Sequence, residues 1–327
     1  MKVLSCLLRR GLFIFLWFFL PLLLLWGWVT QPVLFGSEER HMIAVSPLRL
    51  QTHVRQLSET FFPRDAGSPD TLDRAADYIR QHFEEAGGYI TEQPFPIGRI
   101  TYRNVVARFG SATKDCIVIG AHYDAAGTLP AADDNASGVA GLIELAYLIG
   151  KNPPQTCIEL VGFTLEEQPF FRTSLMGSAL HARSLKARGL TVRIMFSLEM
   201  IGYFNDAPHS QRFPFSLLAV FYPSQGNFIA VVGNFTQGLT VRRIKKAMQS
   251  ASSLPVYSIN APRIVPGIDL SDHANYWDEG YKAVMITDTA FYRNANYHTR
   301  NDTPDTLDYQ RMAQVVQGVY AAVLAFM

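Results

Sequence analysis

The chain has 327 residues, room for one large or two ordinary domains, and its 29 basic and 28 acidic residues almost cancel. Such a balance offers no field for nucleic acid, which is excluded as an expected partner. Apolar residues make up 48% and charged ones 17%, a greasy composition that one segment largely explains.

That segment is residues 11–29, GLFIFLWFFLPLLLLWGWV, without a charge. As a helix its 19 residues would extend about 28 Å, close to the thickness of a bilayer core. Lys2, Arg9 and Arg10 precede it, whereas Glu38 and Glu39 come before the next base, Arg40. The positive-inside bias then keeps residues 1–10 cytoplasmic, makes 11–30 a single-pass anchor, and places the rest in the periplasm or outside the cell. A cleaved signal peptide is the alternative, but the run is long for one, and WGWVTQPVLFGS has no good small-x-small cleavage site. Pro21 is tolerable in such a helix.

Residues 31–45 read as a tether, and one α/β domain is expected over 46–327. A helix is predicted from 47 to about 59. A better-marked one begins at Ser68-Pro69 and stops at Gly87-Gly88, with Leu72, Ala75, Ala76, Ile79 and Phe83 at helical spacing. Strands are then predicted at 104–109, 116–121, 157–164, 192–198, 228–233 and 283–287. Helices are predicted at 136–150, 177–188, 239–250 and 309–326. Strands apolar from end to end and separated by helices indicate a mostly parallel central sheet with helices on both faces. Cys116 and Cys157 each open such a strand. A disulfide requires the two strands to be neighbours, and two buried thiols are the slightly favoured expectation.

Ligands in such sheets gather beyond the carboxyl ends of the strands. His122-Tyr123-Asp124 follows one strand, Glu166-Glu167 another, and Glu199 ends a third. Asp133-Asp134-Asn135 lies in a loop before a helix, and Tyr297-His298-Thr299 lies late in the chain. Taken singly, these are a loop histidine, a solvated acidic pair and a helix cap. Together they put two histidines and several carboxylates on one rim with little Lys or Arg nearby. That much negative charge is costly without a cation, and a dinuclear metal site would resolve the repulsion.

The segments AHYDAAGTLPAADDNASGVAGLIEL, FTLEEQ, SLEMIGY, SDHANYW and NYHTRNDTPDTLDY resemble metallopeptidase family M28, the zinc aminopeptidases, in order and spacing over residues 46–327. The resemblance implies that Asp134 bridges two metals. Glu167 and His298 would complete one site, His122 and Glu199 the other. It implies two zinc ions, although cobalt and manganese suit the same ligand types. Asp124 would orient His122, Glu166 would be the general base, and Tyr297 is a candidate for stabilising the oxyanion. Asp272 and His273 match a segment near the substrate and are read as structural, or as groups that support the ligands from behind, rather than as ligands. His41, His53, His82, His181 and His209 lie outside these segments and are expected at the surface.

Two departures from the family pattern stand out. Glu199 occupies a position where most relatives have Asp, so a longer side chain must retract to reach the same metal. The stretch EEQPFFRTSLMGS is longer than usual, and its Pro169, Phe170 and Phe171 either wall a side-chain pocket or fold back on the core. Removal of N-terminal residues from peptide substrates is the expected activity. The alternatives are a glutaminyl-peptide cyclotransferase, a carboxypeptidase and an inactive binding protein of the same fold. The sequence sets neither the P1 preference nor the oligomeric state.

Overall fold

In a computed structural model of the chain, residues 17, 19–33, 44–111 and 113–327 are described. The first helix, α1 (Leu20–Thr30), is apolar on every side and leaves Leu22, Leu23, Leu24 and Leu25 exposed. No helix among the described residues is long and apolar enough to cross a membrane; residues 1–16 and 18 of the expected cytoplasmic tail and anchor lie outside them, as do 34–43 of the expected tether. Within the tether, Gln31 and Val45 are buried against the domain.

Helix α2 (Pro47–Arg55) takes Pro47 at its first turn, and the Ser46 hydroxyl accepts from the Arg49 N–H. The helical turns that follow, Gln56–Thr60, complete the segment expected to 59. Helix α3 (Pro69–Glu85) buries the five predicted apolar positions, and Gly87, at φ +86°, turns the chain where a side chain would be strained. Next come β1 (Tyr89–Ile97), β2 (Ile100–Phe109), β3 (Asp115–His122), α4 (Gly138–Lys151) and β4 (Cys157–Phe163). Then follow α5 (Gly177–Ala187), β5 (Thr191–Glu199), β6 (Ile229–Asn234), α6 (Gly238–Gln249) and β7 (Val256–Ala261). Helix α7 (His273–Asp278), β8 (Ala283–Thr287) and α8 (Tyr309–Phe326) complete the chain.

The strands form one sheet in the order β1-β2-β4-β3-β5-β8-β6-β7. Its central strands β4, β3, β5 and β8 run parallel, as expected. Antiparallel pairs enter on the flanks: β1 and β2 are antiparallel, β2 opposes β4, and β6 opposes β8, while β6 and β7 are parallel to each other. The sheet is therefore mixed, with four of its seven strand pairings parallel. Edge strand β1 carries Pro94 and Pro96, which remove ladder donors and hide a strand from pattern reading, and an outermost position tolerates that loss.

Side chains alternate across the sheet with a period of two. Ile117, Ile119, Ile158, Leu160, Ile194 and Phe196 face a core covered by α2, α3, α4, α6 and α8. Val118, Val161, Phe163 and Met195 face a smaller core with residues of α5 and α7. Cys116 and Cys157 stand directly opposite each other on the adjacent strands β3 and β4, and they form a disulfide. The slightly favoured pair of free thiols is thus corrected, since the strand order was not readable from the sequence.

The third cysteine of the sequence, Cys6, lies outside the described residues, and with a single bridge it would be the one free thiol. The chain, denatured without reductant, should take up about one equivalent of a thiol reagent, and reduction should raise this to about three. Three equivalents before reduction would show that the bridge does not form.

Candidate metal centre

The central parallel strands deliver the site. His122 is the last residue of β3, Glu199 the last of β5, and Glu166-Glu167 lies just beyond β4. Asp134 comes from the turn Ala132–Ser137 that leads into α4, and His298 from the loop between β8 and α8. All five predicted ligands converge. The donor atoms of His122, Asp134 and Glu199 lie within 4.8 Å of one another, as do those of Asp134, Glu167 and His298.

Asp134 stands between the histidines. Its Oδ1 is 3.4 Å from His122 Nε2, and its Oδ2 is 3.0 Å from His298 Nε2. Glu199 Oε2 lies 3.5 Å from His122 Nε2, and Glu167 Oε1 lies 3.3 Å from His298 Nε2. Buried His122 Nε2 and Glu167 Oε1 have no hydrogen-bond partner. Orphaned donor atoms aimed into a shared space, of nitrogen and carboxylate type, fit a pair of divalent cations.

The electrostatics agree. Burial opposes charge on His122, but the carboxylates of Glu199 and Glu166 outweigh it and draw its pKa well up. Burial likewise opposes charge on His298, yet the adjacent carboxylates of Asp134 and Glu167 raise its pKa to about 10. Burial, reinforced by Asp134, pushes Glu167 up to about 7. Burial also lifts Glu166 well above the usual carboxylate range, with Glu167 and Glu199 adding to the effect. The site holds a field that favours positive charge.

A supporting layer fixes these groups. The Asp124 carboxylate accepts the N–H of Glu166 at 3.1 Å and of Glu167 at 3.0 Å, so it aims the acidic pair. The same carboxylate lies 3.6 Å from His122 Nδ1, while the Asp124 backbone carbonyl lies 3.2 Å from that nitrogen. Asp124 as a whole therefore sets the ring. Ser271 donates to Glu199 Oε2 at 2.6 Å, and this contact steadies the longer acid at that position. The Tyr297 ring stacks on His298 with centroids 3.8 Å apart.

Two residues without a predicted role hold the bridging turn. Asp302 accepts the N–H of Asp133 at 2.9 Å and of Asp134 at 3.1 Å. Wholly buried Arg64 donates to the backbone carbonyls of Leu57, Tyr123, Pro130 and Ala131. Arg64 carried no motif signal, whereas Asp302 lay inside a quoted segment and could have been found there. Gly138 permits close approach, since a Cβ there would stand 2.6 Å from the Leu198 carbonyl oxygen. Asn135 Nδ2 donates to that same carbonyl.

Asp272 and His273 are buried and belong to neither donor group, as expected. The surface expectation for the other histidines is corrected at His53 and His181. Both are buried, facing Glu144 at 3.4 Å and Glu159 at 3.4 Å respectively, and each ring meets a tyrosine hydroxyl at 2.7 Å. His82 is half-buried, His209 is exposed, and His41 lies outside the described residues. Beside Glu199 and Tyr297 opens an apolar cavity walled by Phe213, Phe228, Val232, Ile259 and Met285. No residue of 168–176 lines it, and Phe170 packs against Tyr102 and the core instead.

The model of peptidase family M28 matches residues 104–323. An uncharacterized Escherichia coli (strain K12) protein, YfbL, is 47% identical over 94% of this chain and 94% of its own length. Leucine aminopeptidase 1 of Grosmannia clavigera is 28% identical over 81% of this chain, which spans 64% of that protein. Among solved structures, a zinc aminopeptidase from Bacillus subtilis superposes with a TM-score of 0.69 at 14% identity, over 87% of this chain and 95% of that one. Fimbriiglobus ruber glutaminyl cyclase superposes with a TM-score of 0.68 at 19% identity, over 90% and 99%.

Replacing Arg64 with Met would leave four backbone carbonyls without their donor. A loss on the order of 3 kcal/mol or more is expected. Urea unfolding of the two proteins measures it, and an unchanged midpoint would show that Arg64 does not hold the turn.

Proposed function

Because the chain belongs to peptidase family M28, we propose that it is a dinuclear zinc aminopeptidase. The observation that carries this reading is the position of Asp134, one carboxylate oxygen toward each of two histidines that are themselves paired with separate glutamates. His122 and Glu199 would hold one ion, Glu167 and His298 the other, with Asp134 common to both. When bound, the ions would act as Lewis acids on the scissile carbonyl and on a water molecule.

Glu166 follows from its place. It is buried beside the ligands, its backbone is held by Asp124, and it belongs to neither donor group. As general base its carboxylate takes a proton from the attacking water and returns it to the leaving amine. Raised basicity from burial suits that task. Tyr297, on the cavity wall, donates its phenol hydrogen to the developing oxyanion. The cavity takes a large apolar side chain from the N-terminal residue of the substrate, because its walls offer mostly hydrocarbon.

Residues 11–30 are the membrane anchor in this proposal, with 1–10 cytoplasmic, 31–45 as the connection, and 46–327 as the peptidase domain outside the cytoplasm. The Cys116–Cys157 disulfide suits an oxidising compartment. Glutaminyl cyclisation is the second reading, raised by the likeness of fold. The two donor triads sharing Asp134 favour the two-metal hydrolase.

Metal analysis and substrate assays on the full chain in detergent test this together. About two equivalents of zinc are expected, with cleavage of Leu-anilides abolished by N-terminal acetylation and by chelator. Ammonia release from N-terminal Gln peptides without such cleavage would favour the cyclase. For Glu166→Gln, unchanged metal content and a rate lower by about 10²–10⁴ are expected. Loss of metal with the rate would remove Glu166 as base. Asp134→Ala should bind neither ion well, and retention of two tight ions would place the bridge elsewhere.

A further inference from the structure

The end of α1 is built into the domain rather than hung from it. The last carbonyls of a helix lack partners within it. Here Lys245 of α6 donates to the Thr30 carbonyl at 3.0 Å, and the Ser258 hydroxyl of β7 donates to the same oxygen at 2.8 Å. The Asn260 amide of β7 donates to the Trp28 carbonyl at 3.1 Å, and the Trp28 indole donates to the Phe235 carbonyl at 2.8 Å. A Cβ on Gly238 would stand 2.6 Å from the Gln31 side-chain nitrogen, so α6 starts in contact with this end.

Large apolar side chains are exposed around the same strand. The helical turn Ser216–Val220 and its flanks leave Phe215, Leu217, Val220 and Phe221 in the open. Tyr222, immediately after them, donates its hydroxyl to the Ser258 carbonyl at 2.7 Å, so the turn is fastened to the residue that caps α1. Phe235 and Leu239, next to the Trp28 contacts, are exposed as well. On α6, Leu239, Arg242 and Lys246 share one face at spacings of three and seven. Arg242 and Lys246 are exposed and form no ion pair among the described residues. Apolar groups beside unpaired cations, next to an apolar helix, form the pattern of a surface that meets headgroups and acyl chains.

We propose that this face, centred on the turn Ser216–Val220 and the start of α6, dips into the bilayer leaflet from which α1 emerges. The inference rests on reading 11–30 as the membrane anchor. Phe213, Leu218 and Tyr222 of the same segment wall the catalytic cavity, so docking sets the cavity beside the lipid surface.

The test uses the full chain with Cys6→Ser and Leu217→Cys, labelled with the fluorophore NBD and reconstituted in vesicles containing phosphatidylglycerol. Tyr89→Cys is the control, because Tyr89 is exposed on β1 at the opposite edge of the sheet. Flotation comes first, and a chain that leaves the vesicles in alkaline carbonate overturns the anchor and the docking with it. For a chain that floats, the label at 217 should emit several-fold more brightly and to the blue, and lipid-borne nitroxide should remove most of that emission. The label at 89 should show neither change. A floating chain whose label at 217 behaves like that at 89 overturns docking while leaving the anchor intact. Blue-shifted emission that lipid nitroxide leaves unquenched would mean that a second copy of the chain covers the turn, and it would equally overturn the proposal.

Discussion

The constraint on which this structure turns is the crowding of carboxylates in a buried space. Asp134, Glu166, Glu167 and Glu199 are all at least nine-tenths buried, and Asp124 lies directly behind the acidic pair. Charges so placed repel one another and lose hydration, which disfavours the compact state unless something positive compensates. The chain supplies part of that compensation through His122 and His298. It supplies another part through backbone N–H groups, because Asp124 and Asp302 each accept two. The unpartnered Nε2 and Oε1 atoms at the centre mark where that provision stops.

The sheet explains why such an arrangement survives. Parallel strands β3, β4 and β5 end together, so residues distant in sequence arrive on one rim without a long loop to order. Both faces of those strands are packed, which leaves little freedom for the rim to relax by spreading. Arg64 and Gly138 do related work from opposite sides. Arg64 draws four carbonyls toward one guanidinium, while the missing side chain at Gly138 lets α4 approach the end of β5.

Much of this could be read from the residues because the chemistry is local. His122, Glu167 and Glu199 sit at or just after strands with a plain apolar signature, and Asp134 and His298 lie in loop segments, ADDNAS and NYHT, whose own residues mark them. What stayed hidden depends on tertiary partners. Edge strand β1 is masked by its prolines, and β7, VYSINA, alternates too weakly to stand out beside Pro255. Buried His53 and His181 look like surface residues until Glu144 and Glu159 are placed beside them. The same holds for the disulfide: Cys116 and Cys157 are 41 residues apart, and only the adjacency of β3 and β4 makes them partners. Arg64 reads as an ordinary surface cation because nothing local reveals four converging carbonyls.

The far edge of the sheet joins two features that the sequence presents as unrelated. Strand β7 pairs with β6, and β6 pairs with β8, after which the chain runs to Tyr297 and His298. Ser258 of β7 lines the apolar cavity and also donates to the Thr30 carbonyl at the end of α1. A displacement of α1 would thus act on a cavity wall through one residue and two hydrogen bonds, since Tyr222 holds the same Ser258 from the other side. In a flexible tether such coupling would be lost along the linker. Here the helix ends on side chains of β7 and α6, so the orientation of the apolar segment and the shape of the cavity are fixed by the same contacts.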